Sequence, residues 1–300
     1  MACLILNPGS RNGEAAAAAL LPLLRQLGDV RMLLTRGVRH GEALAREAAA
    51  GGERLIFVAG GDGTLNEVIN GLTGYFDQVR LGVLPVGTGN DFARSLGMPA
   101  DLEGAVAALA AGRTRRCDLV RFRSGDLDRY FANVSAGGFS GEVNETLTPQ
   151  MKDSWGPLAY FRAALETLPE RCAHSVRLVF DDEEVRQEKA FNVAVANGRF
   201  VAGGIPVAPY AEIDDGVFDV ILIKECSLAA IAGLASKALV GRHLEDSAEE
   251  VFFRQARSLD LVSEPPMAFN VDGEVVGERD GRFELVAGAL EVIVGPEAAG

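Results

Sequence analysis

The feature that most constrains the fold is a regular alternation of apolar and helix-forming segments over the first 120 residues. Four short runs are largely apolar, as strands are when both faces of a sheet are covered. These runs are CLILN at 3–7, VRMLLT at 30–35, RLIFVAGG at 54–61 and RLGVLP at 80–85. Helix patterns follow at 13–27, 41–50, 64–72, 91–95 and 101–111. This order predicts an α/β domain with a parallel sheet and a ligand site in the loops after the strands.

After about residue 120 the pattern changes to short β-rich runs separated by turn residues, such as RYFANVSA, AFNVAVAN and ALEVIVG. Several of them alternate apolar and polar residues, which is typical of antiparallel strands. Two helix patterns interrupt them, at 157–168 and 228–240. We therefore predict an α/β domain at 1–120 and an all-β sandwich or barrel at 121–285, with residues 286–300 returning to the first domain.

Charge divides along the chain in the same way. Residues 1–120 carry 12 basic and 12 acidic residues, whereas residues 121–300 carry 17 basic and 30 acidic residues, so the net charge of −13 lies in the second part. Such a charge disfavours nucleic acid as a partner. The first lysine is Lys152, so the first domain has neither a Walker A lysine nor the strand lysine of protein kinases. Phosphate bound there must contact backbone N–H groups, hydroxyls, arginine or a metal ion.

No run reaches the roughly 20 apolar residues that a membrane-spanning helix needs, and the first residues, MACLILNPGS, have no basic segment of the signal-peptide type. We therefore expect no transmembrane segment. The four cysteines and three histidines show no metal-ligand spacing. They predict reduced thiols in a cytoplasmic protein.

The strongest motif is GGDGTLNEV at 60–68, between an apolar strand and a helix. Three glycines in four positions predict a tight turn whose backbone another group can approach, and a helix N-terminus attracts anions. Asp62 fits beside phosphate only with a bridging Mg²⁺. The alternative is a plain turn in which Asp62 or Thr64 caps the helix, with Asn66 and Glu67 on its surface.

Two further loops follow strands, PVGTGNDFAR at 85–94 and NPGSRNG at 7–13. The first repeats the glycine and hydroxyl pattern before a helix that starts at Asn90 or Asp91. The second offers Ser10, Arg11 and Asn12 to a polyphosphate. Loops at the ends of parallel strands converge, so the three together predict a nucleotide site. Alternatively, Asp91 is only a helix cap and NPGSRNG an ordinary turn.

GGDGTLNEV followed by PVGTGNDFAR resembles the catalytic domain of diacylglycerol-kinase-like lipid kinases, a superfamily that includes sphingosine and ceramide kinases. LNPGSRNG, AGGIPVAP, EIDDGVFDV and FNVDGE extend the resemblance over nearly the whole chain. GGDGT alone is shared with NAD kinases and phosphofructokinases, whereas the combination is specific. The resemblance implies a phosphofructokinase-like α/β domain followed by a β-sandwich.

The loops and the resemblance together give the expected site residues. ATP contacts are expected at Asn7, Ser10, Asn12, Thr35, Gly60, Gly61, Asp62, Gly63, Thr64, Leu65, Asn66, Glu67, Gly87, Thr88, Asn90 and Asp91. The resemblance implies a structural Mg²⁺ at Glu212, Asp215 and Val217, where IDDG is otherwise a plain turn. It also implies Glu274 as proton acceptor, with Asp62 and Asp118 as further catalytic acids. From spacing alone, DGE is a hairpin turn and Asp118 a surface charge.

The resulting expectation is an ATP- and Mg²⁺-dependent kinase that phosphorylates a hydroxyl of a membrane lipid, with diacylglycerol the first candidate. The alternatives are an NAD kinase-type enzyme and a nucleotide-binding regulator without turnover. We expect a cytoplasmic protein in transient contact with the membrane surface, through arginines or through apolar residues near Trp155. The arginines in question are Arg36 and Arg39, or Arg113, Arg115 and Arg116. The oligomeric state stays open, a homodimer included.

Overall fold

The computed structural model of the chain describes residues 2–11, 13–138, 173–181, 183–245, 247–271, 274–278 and 280–298; of residues 14, 15 and 274–278 it describes the backbone alone. Within these ranges the chain forms two compact units. One contains Met1–Leu119 and Ala287–Gly300, and the other contains Val120–Val286. The chain leaves the first unit within the strand Thr114–Ser124 and returns to it within the strand Gly281–Ile293.

The first unit contains a parallel sheet, as the alternating pattern predicts. Its strands are β1 (Ala2–Leu6), β2 (Val30–Leu34), β3 (Leu55–Gly60) and β4 (Arg80–Pro85). They lie in the order β2, β1, β3, β4, and the end of the strand Gly281–Ile293 pairs in parallel with β4. Four consecutive residues of β1, Cys3 to Leu6, are fully buried. Both faces of this central strand are therefore covered.

Helices connect these strands. They are α1 (Gly13–Leu23), α2 (His40–Ala50), α3 (Asp62–Gly71), α4 (Asp91–Ser95) and α5 (Leu102–Ala111), with 3₁₀ turns at Leu24–Leu27 and Phe76–Gln78. α2 packs against α3, and α5 packs against β4. A Cβ at Gly71 would lie 2.3 Å from the carbonyl oxygen of Glu42 on α2, so only glycine allows the two helices to approach this closely.

The first helix is shorter than its sequence pattern predicts. We expected a helix over 13–27, but α1 ends at Leu23 and residues 24–27 form a 3₁₀ turn. Pro22 lies in the last turn of α1 and has no N–H to donate, which explains why the α-helical hydrogen bonding stops there.

The second unit is β-rich and antiparallel. Its described strands are β5 (Thr114–Ser124), β6 (Leu127–Phe131), β7 (Val134–Gly138), β8 (His174–Phe180), β9 (Val185–Ala196), β10 (Phe200–Val201), β11 (Ile205–Pro206), β12 (Phe218–Lys224), β13 (Val251–Ala256), β14 (Ser258–Glu264), β15 (Ala268–Val271), β16 (Glu274–Glu278) and β17 (Gly281–Ile293). Two of these strands, β5 and β17, also enter the first unit. The pairing order is β16, β15, β7, β9, β8, β14, β17, and β12 pairs with both β9 and β13. One helix, α6 (Leu228–Ala238), lies between β12 and β13.

Aromatic side chains fill the centre of the second unit. Phe122, Phe131, Phe269 and Phe283 are fully buried, and the rings of Phe122 and Phe283 are centred 4.8 Å apart. An α/β unit with a parallel sheet and a separate antiparallel unit confirm the predicted fold class. The predicted helix at 157–168, with Trp155, lies outside the described residues. None of the described helices is long and apolar enough to cross a membrane.

Candidate active site

Four loops of the first unit follow the carboxyl ends of its parallel strands. The strands end level, because Leu6 of β1 lies opposite Leu34 of β2 and Ala59 of β3, and Gly60 of β3 lies opposite Pro85 of β4. All four loops therefore lie at one edge of the sheet. In chain order they are loop 1 (residues 7–12), loop 2 (35–39), loop 3 (60–64) and loop 4 (86–90).

Loops 3 and 4 touch through the backbones of their glycines. A Cβ at Gly87 would lie 2.3 Å from the Cα of Gly61, and a Cβ at Gly60 would lie 2.6 Å from the Cβ of Thr64. The N–H of Val86 donates to the carbonyl oxygen of Gly60 across the same contact, at 3.3 Å. Glycine is required at residue 87 because the two loops pack directly on each other, and at residue 60 because Thr64 of the same loop packs against it.

Gly63 in loop 3 has free space around it, and Thr88 in loop 4 is exposed. No atom of the described chain lies within 4 Å of a Cβ built at Gly63, and Thr88 is exposed. Gly63 is the second residue of α3, where the N–H groups have no partner within the helix. An anion can therefore reach free backbone donors here, with the positive end of the helix dipole behind them.

Asp62 connects loop 3 to the helix that follows loop 4. Its Oδ1 accepts a hydrogen bond from the N–H of Phe92 in α4, at 3.1 Å. Its Oδ2 would lie 2.7 Å from a Cβ at Gly89, and Oδ2 of the buried Asp91 would lie 3.1 Å from the same Cβ. Two carboxylates thus flank Gly89. The residue that caps α3 is Gly61, which excludes the alternative that Asp62 or Thr64 caps that helix.

Asn90 fixes the shape of loop 4. It has a left-handed backbone with φ of 54°, a conformation that asparagine tolerates better than most residues. Its Oδ1 accepts from the N–H of Gly87 at 2.9 Å, and its Nδ2 donates to the carbonyl oxygen of Gly87 at 3.0 Å. The loop is therefore closed by a side chain of its own rather than by a ligand.

Loop 1 is bound to loop 3 through Asn7. The Nδ2 of Asn7 donates to Oγ1 of Thr64 at 2.9 Å, and its Oδ1 accepts from the N–H of Gly9 at 2.9 Å. The hydroxyl of Ser10 donates to the carbonyl oxygen of Asn7 at 2.8 Å. The structure thus brings Asn7 and Ser10 to the edge that carries the glycine loops. Asn12 lies outside the described residues.

Loop 2 is held from both sides. Thr35 is buried, and its N–H donates to the carbonyl oxygen of Leu6 at the end of β1, at 2.9 Å. Glu67 of α3 accepts from the N–H groups of Arg39 and Gly41, each at 2.8 Å. The sequence gives no sign of this contact, since residues 26 and 28 positions apart meet only after α2 and α3 have packed.

Among the described residues, five of the predicted nucleotide contacts have buried side chains. Leu65 and Asn66 are the most deeply buried of them, and the others are Thr35, Thr64 and Asp91. Leu65 is 4% exposed and Asn66 is 1% exposed. The Oδ1 of Asn66 accepts from Nδ2 of Asn70 on the next turn of α3, at 3.1 Å. The structure therefore places these two side chains in the interior of the first unit.

The predicted metal residues lie in the second unit, in the turn before β12. Glu212 and Asp215 are exposed, and Oδ1 of Asp215 accepts from the N–H of Val217 at 3.1 Å. No cluster of three or more His, Cys, Asp or Glu side chains suited to a metal ion is found among the described residues. The predicted set does not need one, because it combines the Asp215 carboxylate with backbone carbonyl oxygens.

Asp219 is a further acidic residue near this turn that the sequence analysis does not single out. It is 1% exposed, and its Oδ1 accepts from Nε2 of Gln255 at 3.1 Å. Its Oδ2 is buried and has no hydrogen-bond partner within the described chain. The pKa of Asp219 is raised to about 6. Burial is the main cause and the nearby charge of Asp215 a smaller one, while the hydrogen bond from Gln255 acts in the opposite direction. A cation between these two carboxylates would relieve their repulsion.

Asp118 and Glu274 are placed on strands. Asp118 lies within β5, is 2% exposed, and its Oδ1 accepts from the N–H of Gly288 at 2.6 Å, so it is not a surface charge. Glu274 is the first residue of β16 and lies opposite Val271 of β15. The antiparallel pairing of β15 with β16 agrees with the hairpin that the spacing indicates.

Comparison with known proteins identifies both units. Residues 1–122 match the family model of the diacylglycerol kinase catalytic domain, and residues 132–294 match that of the YegS C-terminal NAD kinase beta sandwich-like domain. The chain is 34% identical over 257 residues to a diacylglycerol kinase of Bacillus subtilis, covering 85% of this chain and 82% of that one. It is 35% identical over 238 residues to one of Staphylococcus epidermidis, covering 79% and 73%.

A solved structure gives the same result for the fold. A crystal structure of a diacylglycerol kinase from Bacillus anthracis matches with a TM-score of 0.77 at 26% identity, covering 99% of this chain and 98% of that chain. The fold and the matched domains define a phosphotransferase with an alcohol group as acceptor. This chain belongs to the diacylglycerol kinase family.

The packing of loops 3 and 4 leads to a prediction about stability. Gly87→Ala will lower the free energy of unfolding by about 1–3 kcal/mol, because the added methyl group overlaps the backbone of Gly61. Gly63→Ala adds the same methyl group in open space within a helix and will be neutral or stabilising by up to about 1 kcal/mol. Urea unfolding of the ligand-free variants measures both, and equal destabilisation would contradict the loop contact.

Proposed function

We propose that this protein is an ATP- and Mg²⁺-dependent lipid kinase that transfers the γ-phosphoryl group to a hydroxyl of a membrane lipid, with diacylglycerol the first candidate. The observation that carries the proposal is the direct contact of two glycine loops beside the carboxylates of Asp62 and Asp91. The membership of the chain in the diacylglycerol kinase family supports a lipid acceptor.

The residues present fit a nucleotide polyphosphate. The open backbone at Gly63, the exposed hydroxyl of Thr88 and the N-terminus of α3 offer hydrogen-bond donors at one edge of the sheet. No lysine is available in the first unit, so these donors would bind the phosphates in its place.

The residues also fit Mg²⁺, a cation that prefers hard oxygen ligands. Asp62 and Asp91 each present a carboxylate oxygen beside Gly89, close to the position that a Cβ there would occupy. When bound, Mg²⁺ supplies positive charge against the phosphates. At Glu212, Asp215 and Val217 a second, structural ion is supported by the buried Oδ2 of Asp219, which has no partner in the described chain.

In this proposal the transfer is direct and in line. Glu274 accepts the proton of the acceptor hydroxyl, because phosphoryl transfer needs positioning, charge stabilisation and a base. Asp118 is the further acidic candidate, with one of its oxygens held by Gly288. A covalent phosphoenzyme is not expected, because no His or Cys takes part in the predicted site.

An NAD kinase is the second candidate, since the match of residues 132–294 is to an NAD kinase beta sandwich-like domain. The two activities are separated by incubating the protein with radiolabelled ATP and either a panel of lipids or NAD. We expect acid-stable phosphate on a lipid. Label on NAD alone would establish the alternative, and nucleotide binding without any labelled product would indicate a regulator.

Replacing the proposed base should separate chemistry from nucleotide binding. We expect Glu274→Gln to lower kcat by about 10²–10⁴-fold, the usual contribution of a general base, with an unchanged Kd for ATP. Gly61→Ala should instead raise the Kd for ATP, because its methyl group intrudes at the glycine loops. Lipid phosphorylation and nucleotide titration measure the two effects, and equal losses of ATP affinity would reject these roles.

The structural ion is tested by thermal unfolding without nucleotide. Mg²⁺ at 100 times its Kd should stabilise the folded protein by about 2.7 kcal/mol. Asp215→Ala should abolish this stabilisation, whereas Asp214→Ala, which removes the neighbouring carboxylate outside the predicted set, should retain it. If wild type and Asp215→Ala respond alike to Mg²⁺, the site does not exist.

A cytoplasmic location with transient membrane contact belongs to the same proposal, because the acceptor lies in a bilayer. Val38 of loop 2 is 86% exposed, and Leu34 just before the loop is 47% exposed. Arg36 and Arg39 are exposed beside them, and no described acidic side chain pairs with Arg36. Apolar and basic side chains together suit an anionic lipid surface. In contrast, Arg113 and Arg116 donate to carbonyl oxygens of the first unit.

Vesicle sedimentation tests this surface. Binding to anionic vesicles should weaken about fivefold in Arg36→Ala, since one basic residue contributes about 1 kcal/mol near such a surface, and it should fall as salt rises. Arg177→Ala, at an exposed arginine of the second unit, is the control and should bind as wild type does. Salt-independent binding to neutral vesicles would refute the role of the arginines.

A further inference from the structure

We propose that Glu67 is a positioning residue that fixes loop 2, and with it Thr35, relative to loop 3. This inference rests on the proposed function, which supplies the bound nucleotide. In it, Glu67 acts by holding the backbone of loop 2 and does not touch the nucleotide. Glu67 lies on α3, the helix that begins in loop 3, and its carboxylate reaches the start of α2, the helix that follows loop 2.

The contact uses both carboxylate oxygens. Oε1 of Glu67 accepts from the N–H of Arg39 and Oε2 accepts from the N–H of Gly41, each at 2.8 Å. Hydrogen bonds to an ionised acceptor are stronger than neutral ones, and a negative charge at a helix N-terminus is further favoured by the helix dipole. Glu67 thus caps α2 from a neighbouring helix.

The local backbone depends on this cap. Arg39 is the N-cap residue of α2, and its own side chain makes no capping hydrogen bond. It has a left-handed backbone with φ of 62°, which is unfavourable for a residue with a Cβ. The hydrogen bond from its N–H to Glu67 compensates for this strain, so removing the carboxylate releases the end of loop 2.

Gly41 supports the same conclusion independently. A Cβ at Gly41 would lie 2.7 Å from Oε2 and 3.2 Å from the Cβ of Glu67. The backbone φ of Gly41 is not in the left-handed region, so glycine is needed here for the approach of the Glu67 side chain rather than for a turn. A methyl group at residue 41 would therefore displace the carboxylate without removing it.

Loop 2, which carries the predicted nucleotide contact Thr35, is anchored at both of its ends. Its first residue, Thr35, is bound through its N–H to Leu6, and its last residue, Arg39, is bound to Glu67. Two other hydrogen bonds join loop 2 to His40, from the N–H of Arg36 to Nδ1 of His40 and from the N–H of His40 to the carbonyl oxygen of Gly37. Loss of the Glu67 anchor therefore loosens the end of the loop that carries Thr35 without detaching it. The contact between loops 3 and 4 does not include Glu67, so that contact should remain intact.

A double-mutant cycle tests the proposal. ADP·Mg²⁺ binding is measured by calorimetry without lipid, in Glu67→Gln, Gly41→Ala and the double variant. We expect each single variant to raise the Kd by about five- to tenfold and the double variant to raise it no further, because both changes break the same contact. In the lipid kinase assay, the KM for ATP should rise by the same factor, with the KM for lipid unchanged and kcat within threefold.

Two further variants keep the test decisive. Glu42→Gln is the matched control on α2. Glu42 forms ion pairs with Arg39 and Arg46, and we expect wild-type affinity because exposed ion pairs contribute little. Arg39→Gly removes the left-handed strain and should partly restore ADP affinity to Glu67→Gln. A purely structural role would instead lower the melting temperature and leave both KM values unchanged.

The outcomes that overturn the proposal are distinct. A raised Kd in Glu67→Gln with a normal Kd in Gly41→Ala would make Glu67 a direct ligand, as would multiplicative effects in the double variant. An unchanged Kd in both single variants would remove any role. If wild type binds ADP·Mg²⁺ but phosphorylates no lipid, the proposed function fails while the calorimetric cycle still tests Glu67. No ADP binding by wild type overturns both.

Discussion

The contact between the Gly61 and Gly87 backbones is the constraint on which the rest of the site depends. A Cβ at Gly87 would lie 2.3 Å from the Cα of Gly61, so this packing requires glycine at residue 87, whereas a Cβ at Gly61 would lie 3.3 Å from the Cα of Gly87. It brings the start of α4 within reach of Asp62, which accepts from the N–H of Phe92. A carboxylate oxygen of Asp62 and one of Asp91 both lie close to Gly89. Packing of the loops thus determines the electrostatics of the site.

The first 120 residues contain no lysine, so this edge of the sheet has no lysine charge to offer a phosphate group. A phosphate site built on a lysine has a fixed positive charge, whereas this edge of the sheet offers backbone N–H groups, hydroxyls and two acids. Such a set is repulsive to phosphate unless a cation lies between acid and ligand. The same logic holds before β12 in the second unit, where burial of Asp219 near Asp215 raises its pKa. In the proposed function, a divalent ion at each of these places offsets the charge of the carboxylates.

The fold class and the family were predictable from the sequence, and the contacts within the site were not. Apolar strand runs and glycine motifs depend on local pattern, which explains why the parallel sheet and the antiparallel unit agree with prediction. The partner of Asp62 is a residue 30 positions away, and the partners of Glu67 lie on another helix, so both depend on tertiary packing. Pro22, which lies in the last turn of α1, is a local signal for the early end of that helix that can be read from the sequence alone. The site residues themselves stay predictions, including Glu274, which only the family resemblance singled out.

The loops of the first unit are held by one another, and this has a thermodynamic consequence. Each loop has a hydrogen bond from or to a side chain that anchors it. Loop 1 is anchored by Asn7 to Thr64, and loop 2 by Arg39 to Glu67. Loop 3 is anchored by Asp62 to Phe92, and loop 4 by Asn90 to Gly87. Ordering one residue costs about 1–2 kcal/mol in conformational entropy, and in this edge the cost is met during folding. A ligand that enters pre-ordered loops keeps more of its interaction energy as affinity. Loop 2 differs from the others because the carboxylate that anchors its far end, that of Glu67, lies on another helix and accepts from two backbone N–H groups, those of Arg39 and Gly41.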